Sequence, residues 1–383
     1  MLCLFLAGLA TFATLHATQP LLPELMVAFD ITASQSTWSL SAATLGIGIA
    51  LLIVGPLTDM VGRTRLMIGS LFASALVGIA IALTTNWHLL VVLRAVQGVT
   101  VAGVPATATA YLREEVHHSA RLQVTGRYIG GTAIGGMSGR LLSGLVTDLA
   151  GWREALIALA ILGLICAVLV HLYLPRSHNF QPAPRQVKAV ATQFGRGLSD
   201  PVLLALYGIG GTLFGTFVAI YNGMAFRLVS EPYLLSVGAV SLVFLCYALG
   251  TFSSGFASRQ AARFGTGPVV LISIAATLVG VLITLAEPLA LVVFGLAVVT
   301  AAFFGAHGVA SAWVPARAVD VGAGAGQAAS LYLCVYYIGS SIFGAAAGAM
   351  WTAAQWPGVV LMGSGLLVVA GILAAVSSRL SRR

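Results

Sequence analysis

The sequence predicts an all-α polytopic membrane protein with twelve transmembrane helices in two six-helix halves. Of its 383 residues, 59% are hydrophobic and only 8% are charged, and the mean hydropathy is +0.99. So few charged residues cannot cover the surface of a water-soluble domain. The apolar residues form long continuous runs near the roughly 20 residues that a spanning helix needs, and these runs lack the alternation of barrel strands.

The spans are expected in order along the chain, each an apolar run closed by glycine, proline or charged residues. The N-terminal half, residues 1–174, contains predicted spans at 2–27, 38–58, 66–85, 89–112, 121–147 and 154–174. The C-terminal half, residues 202–383, ends in a short basic tail and contains predicted spans at 202–223, 234–256, 267–286, 289–314, 325–350 and 356–377. Residues 175–201 form the longest polar stretch, and they predict a cytoplasmic linker because so short a segment cannot bury its own core.

The two halves repeat each other in sequence. Tyr128-Ile129-Gly130 in span 5 corresponds to Tyr337-Ile338-Gly339 in span 11, and Trp152 and Trp356 stand at the starts of spans 6 and 12. A duplication of one six-span unit is therefore expected.

The basic residues predict the orientation in the membrane. The net charge is +8, and most of the 19 Lys and Arg residues fall in inward loops, the linker or the tail, whereas outward loops hold only Arg153 and Arg227. The positive-inside rule then predicts a multi-pass membrane protein with both termini in the cytoplasm. The bilayer accounts for this charge without a nucleic-acid partner.

Span 1 follows Met1 almost at once, without the basic residues that usually precede a first span. We therefore expect that the natural start lies upstream or that the chain was trimmed, rather than that the first apolar run is a cleaved signal peptide.

A charge-bearing turn, GPLTDMVGRTR, separates spans 2 and 3. A carboxylate at the inner end of a helix, here Asp59, can pair with arginines and face the N-terminus of a neighbouring helix, in contacts that form in one conformation and break in another. The alternative is that Asp59 and the arginines only fix the topology. The candidate gating residues are Gly55, Asp59, Gly62, Arg63 and Arg65.

The same turn matches the pattern G-x-L-x-D-r-x-G-r-r, and Arg94, Gln97 and Gly98 in span 4 match R-x-x-Q-G. With these motifs the whole chain resembles the major facilitator superfamily, and specifically its twelve-span drug/proton-antiporter-like efflux carriers, a group with inner-membrane transport proteins. The resemblance implies a monomeric secondary carrier that exports a small molecule, uses protons as the coupling ion and has no cofactor. It also implies that Asp59, supported by Arg63, is a cytoplasmic latch for the outward-facing state.

Polar side chains within the spans are candidates for a substrate or proton cavity. Arg94 and Gln97 share one helix face, and an arginine at the bilayer centre costs about 2.5–3.5 kcal/mol on insertion scales, which indicates function. Alternatively, Arg94 could extend to water at the outer end. Each histidine could instead hydrogen-bond a neighbouring carbonyl, and Tyr221 and Asn222 could line the cavity or anchor the interface. The candidate set is His16, Gln19, Arg94, Gln97, Arg140 and His307.

Span 5 carries three glycines at four-residue spacing, Gly131, Gly135 and Gly139. They clear one helix face for close packing of another helix. The antiporter branch has G-x-x-x-G-P-x-x-G-G here, whereas this chain has Gly136 in place of the proline and Arg140 in place of the last glycine. Arg140 is expected either to bind an anionic substrate or to pair with Asp148.

No enzyme, metal site or ATP-driven pump is predicted. The sequence has no HExxH, GxSxG or GxxxxGK motif, and its four cysteines are dispersed. Every carboxylate lies at or near a span end, so proton coupling follows from the resemblance alone. Two alternatives stay open. One is uptake of a small anion or sugar-like solute, favoured by arginines in spans without matching carboxylates, and the other is a non-transporting sensor of the same fold.

Overall fold

The computed structural model describes residues 2–175, 177 and 187–381, without the side chains of residues 55, 56, 59, 60, 118, 119, 122 and 187–190. Much of the predicted linker and the side chain of Asp59 therefore lie outside the described residues. The helices in chain order are α1 (Leu2–Leu15), α2 (Leu22–Phe29), α3 (Ala33–Ser36), α4 (Trp38–Val61), α5 (Arg63–Leu83), α6 (Trp87–Val101), α7 (Gly103–Glu115), α8 (His118–Ala150), α9 (Trp152–Tyr173), α10 (Val187–Ser199), α11 (Pro201–Val229), α12 (Val237–Ser241), α13 (Ala248–Phe264), α14 (Thr266–Ile283), α15 (Leu289–Asp320) and α16 (Ala325–Leu380).

The described chain confirms the all-α polytopic fold class. Nine of its helical segments are long and apolar enough to cross a membrane. The last of these, α16, contains two predicted spans, because its backbone leaves the helical conformation at Ala354 and Gln355, just before Pro357. The stretch predicted as span 1 is not a single helix, since α1 and α2 are separated by a turn over residues 16–21. Span 8 is also composite, with a 3₁₀ helix at Leu242–Tyr247 between α12 and α13.

The chain divides into two compact units. Unit 1 comprises Met1–Ile31, Trp38–Pro184 and Leu234–Phe244. Unit 2 comprises Thr32–Thr37, Arg185–Tyr233 and Leu245–Arg383. Each unit thus includes one short segment that lies within the other unit's part of the sequence.

In unit 1, α1 packs along α8, α4 along α6, and α5 along α9. At one end of the unit, the Phe29 ring lies 5.5 Å from both the Trp87 and Trp152 rings. Arg153 stacks on Trp152 with its Cζ atom 4.1 Å from the ring centroid, and its guanidinium donates to the carbonyl of Thr84 at 3.0 Å. These contacts fix the start of α9 against the end of α5.

Unit 2 uses a related arrangement where α16 resumes after its bend. The indole N–H of Trp356 donates to the carbonyl of Thr284 at 2.9 Å, and that carbonyl also accepts a hydrogen bond from Arg227. Arg227 stacks on Trp356 as well, 5.1 Å from its ring centroid. Both predicted sixth spans therefore begin with a tryptophan that sits at the end of a predicted third span.

Asp200 fixes the start of α11. Its carboxylate accepts from the Leu203 amide at 2.8 Å and from Arg317 at 2.7 Å, which joins α11 to the end of α15. Burial by itself raises the pKa of Asp200, but the hydrogen bonds from Arg317 and Leu203 and the arginine charge outweigh burial and hold the pKa below its ordinary value of 3.8.

We expect Asp200→Asn to destabilise unit 2 by about 1 kcal/mol at neutral pH, because asparagine keeps the helix cap but loses the ion pair. A lowered carboxyl pKa gives stability that is present above the unfolded-state pKa and is lost as the pH falls through the folded-state pKa. Thermal unfolding at a series of pH values should therefore show the wild type and the variant converging below the ordinary pKa of aspartate. An undiminished difference at the acid end would contradict this account.

Candidate functional sites

The turn in span 1 leaves the last backbone carbonyls of α1 without intrahelical hydrogen-bond donors, inside the apolar part of unit 1. Helix α1 ends at Leu15, and the turn is closed by short-range hydrogen bonds such as the Gln19 amide to the His16 carbonyl at 3.1 Å. Pro20 and Pro23 favour this break because neither has an N–H to continue the helical hydrogen bonding. The last carbonyls of α1 therefore need donors from elsewhere.

Arg94 supplies those donors. Its Nη1 atom donates to the carbonyl of Thr14 at 3.1 Å and its Nη2 atom to the carbonyl of Leu15 at 2.6 Å. Its Nε atom donates to the carbonyl of Ser39, in the first turn of α4, at 2.6 Å. The residue is only 1% exposed, and within the described part of the chain no carboxylate lies at ion-pair distance from it. Arg94 is therefore a cationic cap on the C-terminal end of α1, where the helix dipole favours positive charge.

Gln97 holds Arg94 from the same face of α6, as the shared helix face predicted. Its side-chain oxygen accepts from the Arg94 guanidinium, and its amide group donates to the carbonyl of Ser74 in α5 at 3.1 Å. A small cavity borders this pair, with an otherwise mainly apolar lining. Ser39 and Thr14 contribute only backbone atoms to Arg94, so no side-chain pattern in the sequence could have indicated them.

His16 and Gln19 both lie in the span 1 turn, and Gln19 is joined to Arg140 of α8. The Nε atom of Arg140 donates to the side-chain oxygen of Gln19 at 2.6 Å, and its Nη1 atom donates to the Gly136 carbonyl one turn earlier in α8 at 2.5 Å. Its Cζ atom also lies 5.2 Å from the centroid of the Phe244 ring. Asp148, the sequence-predicted alternative partner, accepts a hydrogen bond from Ser236 at 2.5 Å.

His307 belongs to unit 2, within a large group of aromatic rings. Its Nδ1 atom lies 2.9 Å from the Tyr332 hydroxyl, and its ring is parallel to that of Phe303. Phe214 stacks on Tyr336 at 3.7 Å between centroids. The sequence contains a signal for this aromatic group, because Phe214, Phe217 and Tyr221 recur at helical spacing. The sequence-based prediction considered polar residues alone and therefore missed it.

Tyr221 and Asn222 both form hydrogen bonds within unit 2. The Tyr221 hydroxyl is hydrogen-bonded to the Thr300 hydroxyl at 2.7 Å, and the Asn222 side-chain amide donates to the Gly344 carbonyl at 3.1 Å.

The gating turn joins α4 to α5 through Gly62. Its φ of +98° is a conformation that glycine adopts most readily, which explains the glycine at this position. Arg63 follows, only 8% exposed, and its Nη2 atom pairs with the Glu114 carboxylate of α7 at 2.9 Å. Arg63 also donates to the Thr58 hydroxyl, whereas Arg65 is exposed. Gly55 and Asp59 lie in the last turns of α4.

Glu114, the ion-pair partner of Arg63, is a residue that sequence reasoning missed. It lies in the last turn of α7, in the run Arg113-Glu114-Glu115. A pair of acidic residues at the end of an otherwise apolar span was the available signal.

The three glycines of span 5 place α8 directly against α1. A Cβ atom built on Gly131, Gly135 or Gly139 would lie 2.2, 2.3 or 2.4 Å from backbone oxygens of Phe5, Leu9 and Ala13, respectively. These residues follow one another every fourth position on α1. The same α8 stretch carries Arg140, so this close packing also sets the position of its guanidinium beside the span 1 turn.

Nine of the described helical segments are long and apolar, and unit 1 contains buried cations and an ion-paired turn between two spans. The family model described as Major Facilitator Superfamily matches residues 1–229. The chain belongs to this family and is a multi-pass membrane transporter.

Relatives and solved structures agree with that family. The chain is 40% identical over 382 residues to the inner membrane transport protein YnfM of Escherichia coli (strain K12), covering 100% of this chain and 90% of the relative. It is 37% identical over 366 residues to a protein of Bacillus subtilis (strain 168) described as the uncharacterized MFS-type transporter YybF, covering 96% and 90% of the two chains.

Two crystal structures share the fold at low sequence identity. One is a bacterial homologue of the human lysosomal transporter Spinster, with a TM-score of 0.78, 15% identity and coverage of 99% of this chain and 96% of the other. The other is the nucleoside transporter NupG, with a TM-score of 0.75, 15% identity and coverage of 98% of each chain.

Proposed function

We propose that this transporter exports a small organic molecule in exchange for protons, by alternating access of two six-helix halves, residues 1–174 and 202–383, joined by the linker 175–201. The proposal rests on the turn between α4 and α5. Arg63 there is nearly buried and ion-paired with Glu114, although it lies between two spans. A charged contact at such a turn can hold one arrangement of the helices and release another.

In this proposal Asp59 and Arg63 form the inner gate, with Glu114 as a further partner of Arg63. His16, Gln19, Arg94, Gln97 and Arg140 belong to the substrate or proton pathway in unit 1, and His307 belongs to the pathway in unit 2. Both termini face the cytoplasm of the cell inner membrane, the working unit is a monomer, and the small-molecule substrate is exchanged for protons.

Asp59→Asn is expected to reduce transport by about tenfold or more without preventing insertion, because it removes the carboxylate from the gating turn while keeping its shape. The measurement uses purified protein in liposomes with an imposed pH gradient and a pH-sensitive dye, with cationic drugs, organic acids and sugars added in turn. Substrate-triggered proton release should occur in the wild type and be lost in the variant.

Asp30→Asn provides the matched control. Asp30 is exposed and ends α2 with φ of +51°, a conformation that asparagine adopts well. This variant should transport like the wild type. Equal transport by a well-expressed Asp59→Asn protein would remove the gate from the proposal.

A second candidate function is uptake of a small anion by the same fold. It is favoured by Arg94 and Arg140, two guanidiniums that are each 1% exposed within unit 1. Positive charge buried among apolar helices favours a solute of opposite charge. Inward accumulation of an organic acid by energised vesicles would support uptake, and outward exchange with protons would support export.

A further inference from the structure

Aromatic side chains from three helices of unit 2 surround His307. The imidazole ring lies parallel to the ring of Phe303, one turn earlier in α15, with 5.8 Å between centroids, and 4.7 Å from the Tyr336 ring of α16. From α11, Phe214 stacks on Tyr336 at 3.7 Å and Phe217 stacks on Phe303 at 4.0 Å. Offset and stacked ring faces of this kind are the surroundings in which a further aromatic ring is stabilised.

This aromatic group is closed at one end and open at the other. Thr300, Phe303 and His307 are three and four residues apart, so they share one face of α15. Thr300 and Phe303 are 0% and 1% exposed, whereas His307 is only partly buried. The Nε2 atom of His307 has no hydrogen-bond partner in the part of the chain that the structure describes. The face therefore opens at a polar atom that a ligand can pair with.

Tyr332 determines which nitrogen of the imidazole carries the proton. Its hydroxyl lies 2.9 Å from the Nδ1 atom of His307, and the residue is 2% exposed, with no other acceptor for its O–H among the described residues. A buried O–H without an acceptor is unfavourable, so the hydroxyl donates to Nδ1 and the neutral imidazole carries its proton on Nε2. The Nε2 atom is therefore a hydrogen-bond donor at the open end of the aromatic group.

The surroundings of this donor favour an uncharged ligand. Within the described residues, His307 and Tyr332 contact each other and further aromatic rings, but no charged side chain. An ion among apolar helices needs a partner of opposite charge, and these contacts supply neither a carboxylate nor a guanidinium. Apolar and aromatic walls with a single placed polar group are typical of sites for small neutral molecules.

We propose that His307, Phe303 and Tyr336 form a subsite in unit 2 that binds a neutral aromatic solute carrying a hydroxyl or carbonyl oxygen. The solute's ring stacks among the aromatic side chains, and its oxygen accepts a hydrogen bond from His307 Nε2. Tyr332 is a positioning residue, because it acts through the imidazole. This inference deepens the proposed function and rests on it, since it names the class of small organic molecule that is exported.

The test measures saturable binding of tritiated 2-naphthol to the protein in lipid nanodiscs, counted above protein-free nanodiscs. 2-Acetylnaphthalene can only accept hydrogen bonds, and it should compete about as well as unlabelled 2-naphthol. Naphthalene lacks the oxygen and decahydro-2-naphthol lacks the aromatic rings, so each should compete less well by about fivefold or more. An absence of saturable binding, or equal competition by all of these compounds, would overturn the subsite.

Two substitutions separate the hydrogen bond from the stacking. His307→Phe keeps an aromatic ring but removes the donor, so 2-naphthol and naphthalene should bind equally well. Tyr336→Leu removes one ring face, so the preference for 2-naphthol over decahydro-2-naphthol should fall. A His307→Phe protein that still prefers 2-naphthol over naphthalene would contradict the proposal. If a variant fails to fold, the competition series in the wild-type protein decides the question.

His171→Gln is the matched control. His171 also lies against a phenylalanine, 6.3 Å from the Phe72 ring, but it is exposed and belongs to unit 1, so this variant should bind every compound like the wild type. Transport separates this inference from the proposed function. Proton-coupled export of other solutes without binding of 2-naphthol would keep the function and remove the subsite. Specific binding of 2-naphthol by a protein that exports nothing would keep the subsite and remove the function.

Discussion

Replacing Gly135 by alanine is expected to prevent unit 1 from reaching its native packing. The added Cβ atom would lie 2.3 Å from the Leu9 carbonyl oxygen and 2.7 Å from the Leu9 Cα atom. Both are backbone atoms of a helix, so no side-chain rotation can relieve the overlap. Relief requires α1 to move away from α8 along their whole contact, which also opens the neighbouring positions at Gly131 and Gly139. We expect a loss of at least about 3 kcal/mol, at or above the upper end of ordinary overpacking.

Gly130→Ala is the matched control for this prediction. Gly130 lies five residues earlier in the same helix, and a Cβ atom there would meet nothing within 4 Å. Because alanine favours helix more than glycine by about 1 kcal/mol, the control should be neutral or slightly stabilising. Thermal unfolding of both proteins in detergent gives the comparison. Similar midpoints for the two variants would show that α1 and α8 are not packed through their backbones.

The glycines show how far sequence reasoning reaches in this protein. Spacing predicted that Gly131, Gly135 and Gly139 clear a helix face, but it could not identify the opposing helix, because that depends on tertiary packing. The internal repeat also aligned Gly130 with Gly339, yet the two differ in their surroundings. A Cβ atom on Gly339 would lie 2.1 Å from the Gly211 carbonyl oxygen, whereas one on Gly130 meets open space. Judged by close contact with an opposing helix backbone, the counterpart of Gly339 is Gly131, one residue after Gly130.

The candidate site was predictable only in part, for a similar reason. Long apolar runs predicted the spans, and Pro20 and Pro23 indicated a disturbance in span 1, although the run was read as one helix. Side-chain chemistry brought His16, Gln19, Arg94 and Arg140 into one candidate set. The capping role of Arg94 depends on backbone carbonyls that the broken helix leaves without intrahelical partners. Because every residue has the same backbone carbonyl, the sequence does not mark these acceptors. No residue pattern could therefore distinguish Arg94, which caps the broken helix, from Arg140, which donates to Gln19.

Replacing Arg94 by methionine is expected to destabilise unit 1 by about 3–5 kcal/mol. Removing a buried charge can be neutral when its partners are replaced as well, but here three acceptors are backbone carbonyls, of Thr14, Leu15 and Ser39, which no substitution removes. Water is excluded from an apolar helical bundle, so these groups lose partners that solvent cannot replace. Methionine fills a similar volume, which limits any contribution from an empty cavity.

The comparison with Arg153→Met separates this effect from the loss of any arginine. Arg153 also donates to a helix-end carbonyl, that of Thr84 at 3.0 Å, but it is half-buried and water can take its place. Its replacement should therefore lower the free energy of unfolding by about 1 kcal/mol or less. Arg94→Lys should fall between the two, since an ammonium keeps the positive charge at the end of α1 but cannot reach three carbonyls in the plane of a guanidinium. If Arg94→Met unfolds at the same temperature as Arg153→Met, then the break in span 1 is held by other contacts, and the arginine is free to serve the transported solute directly.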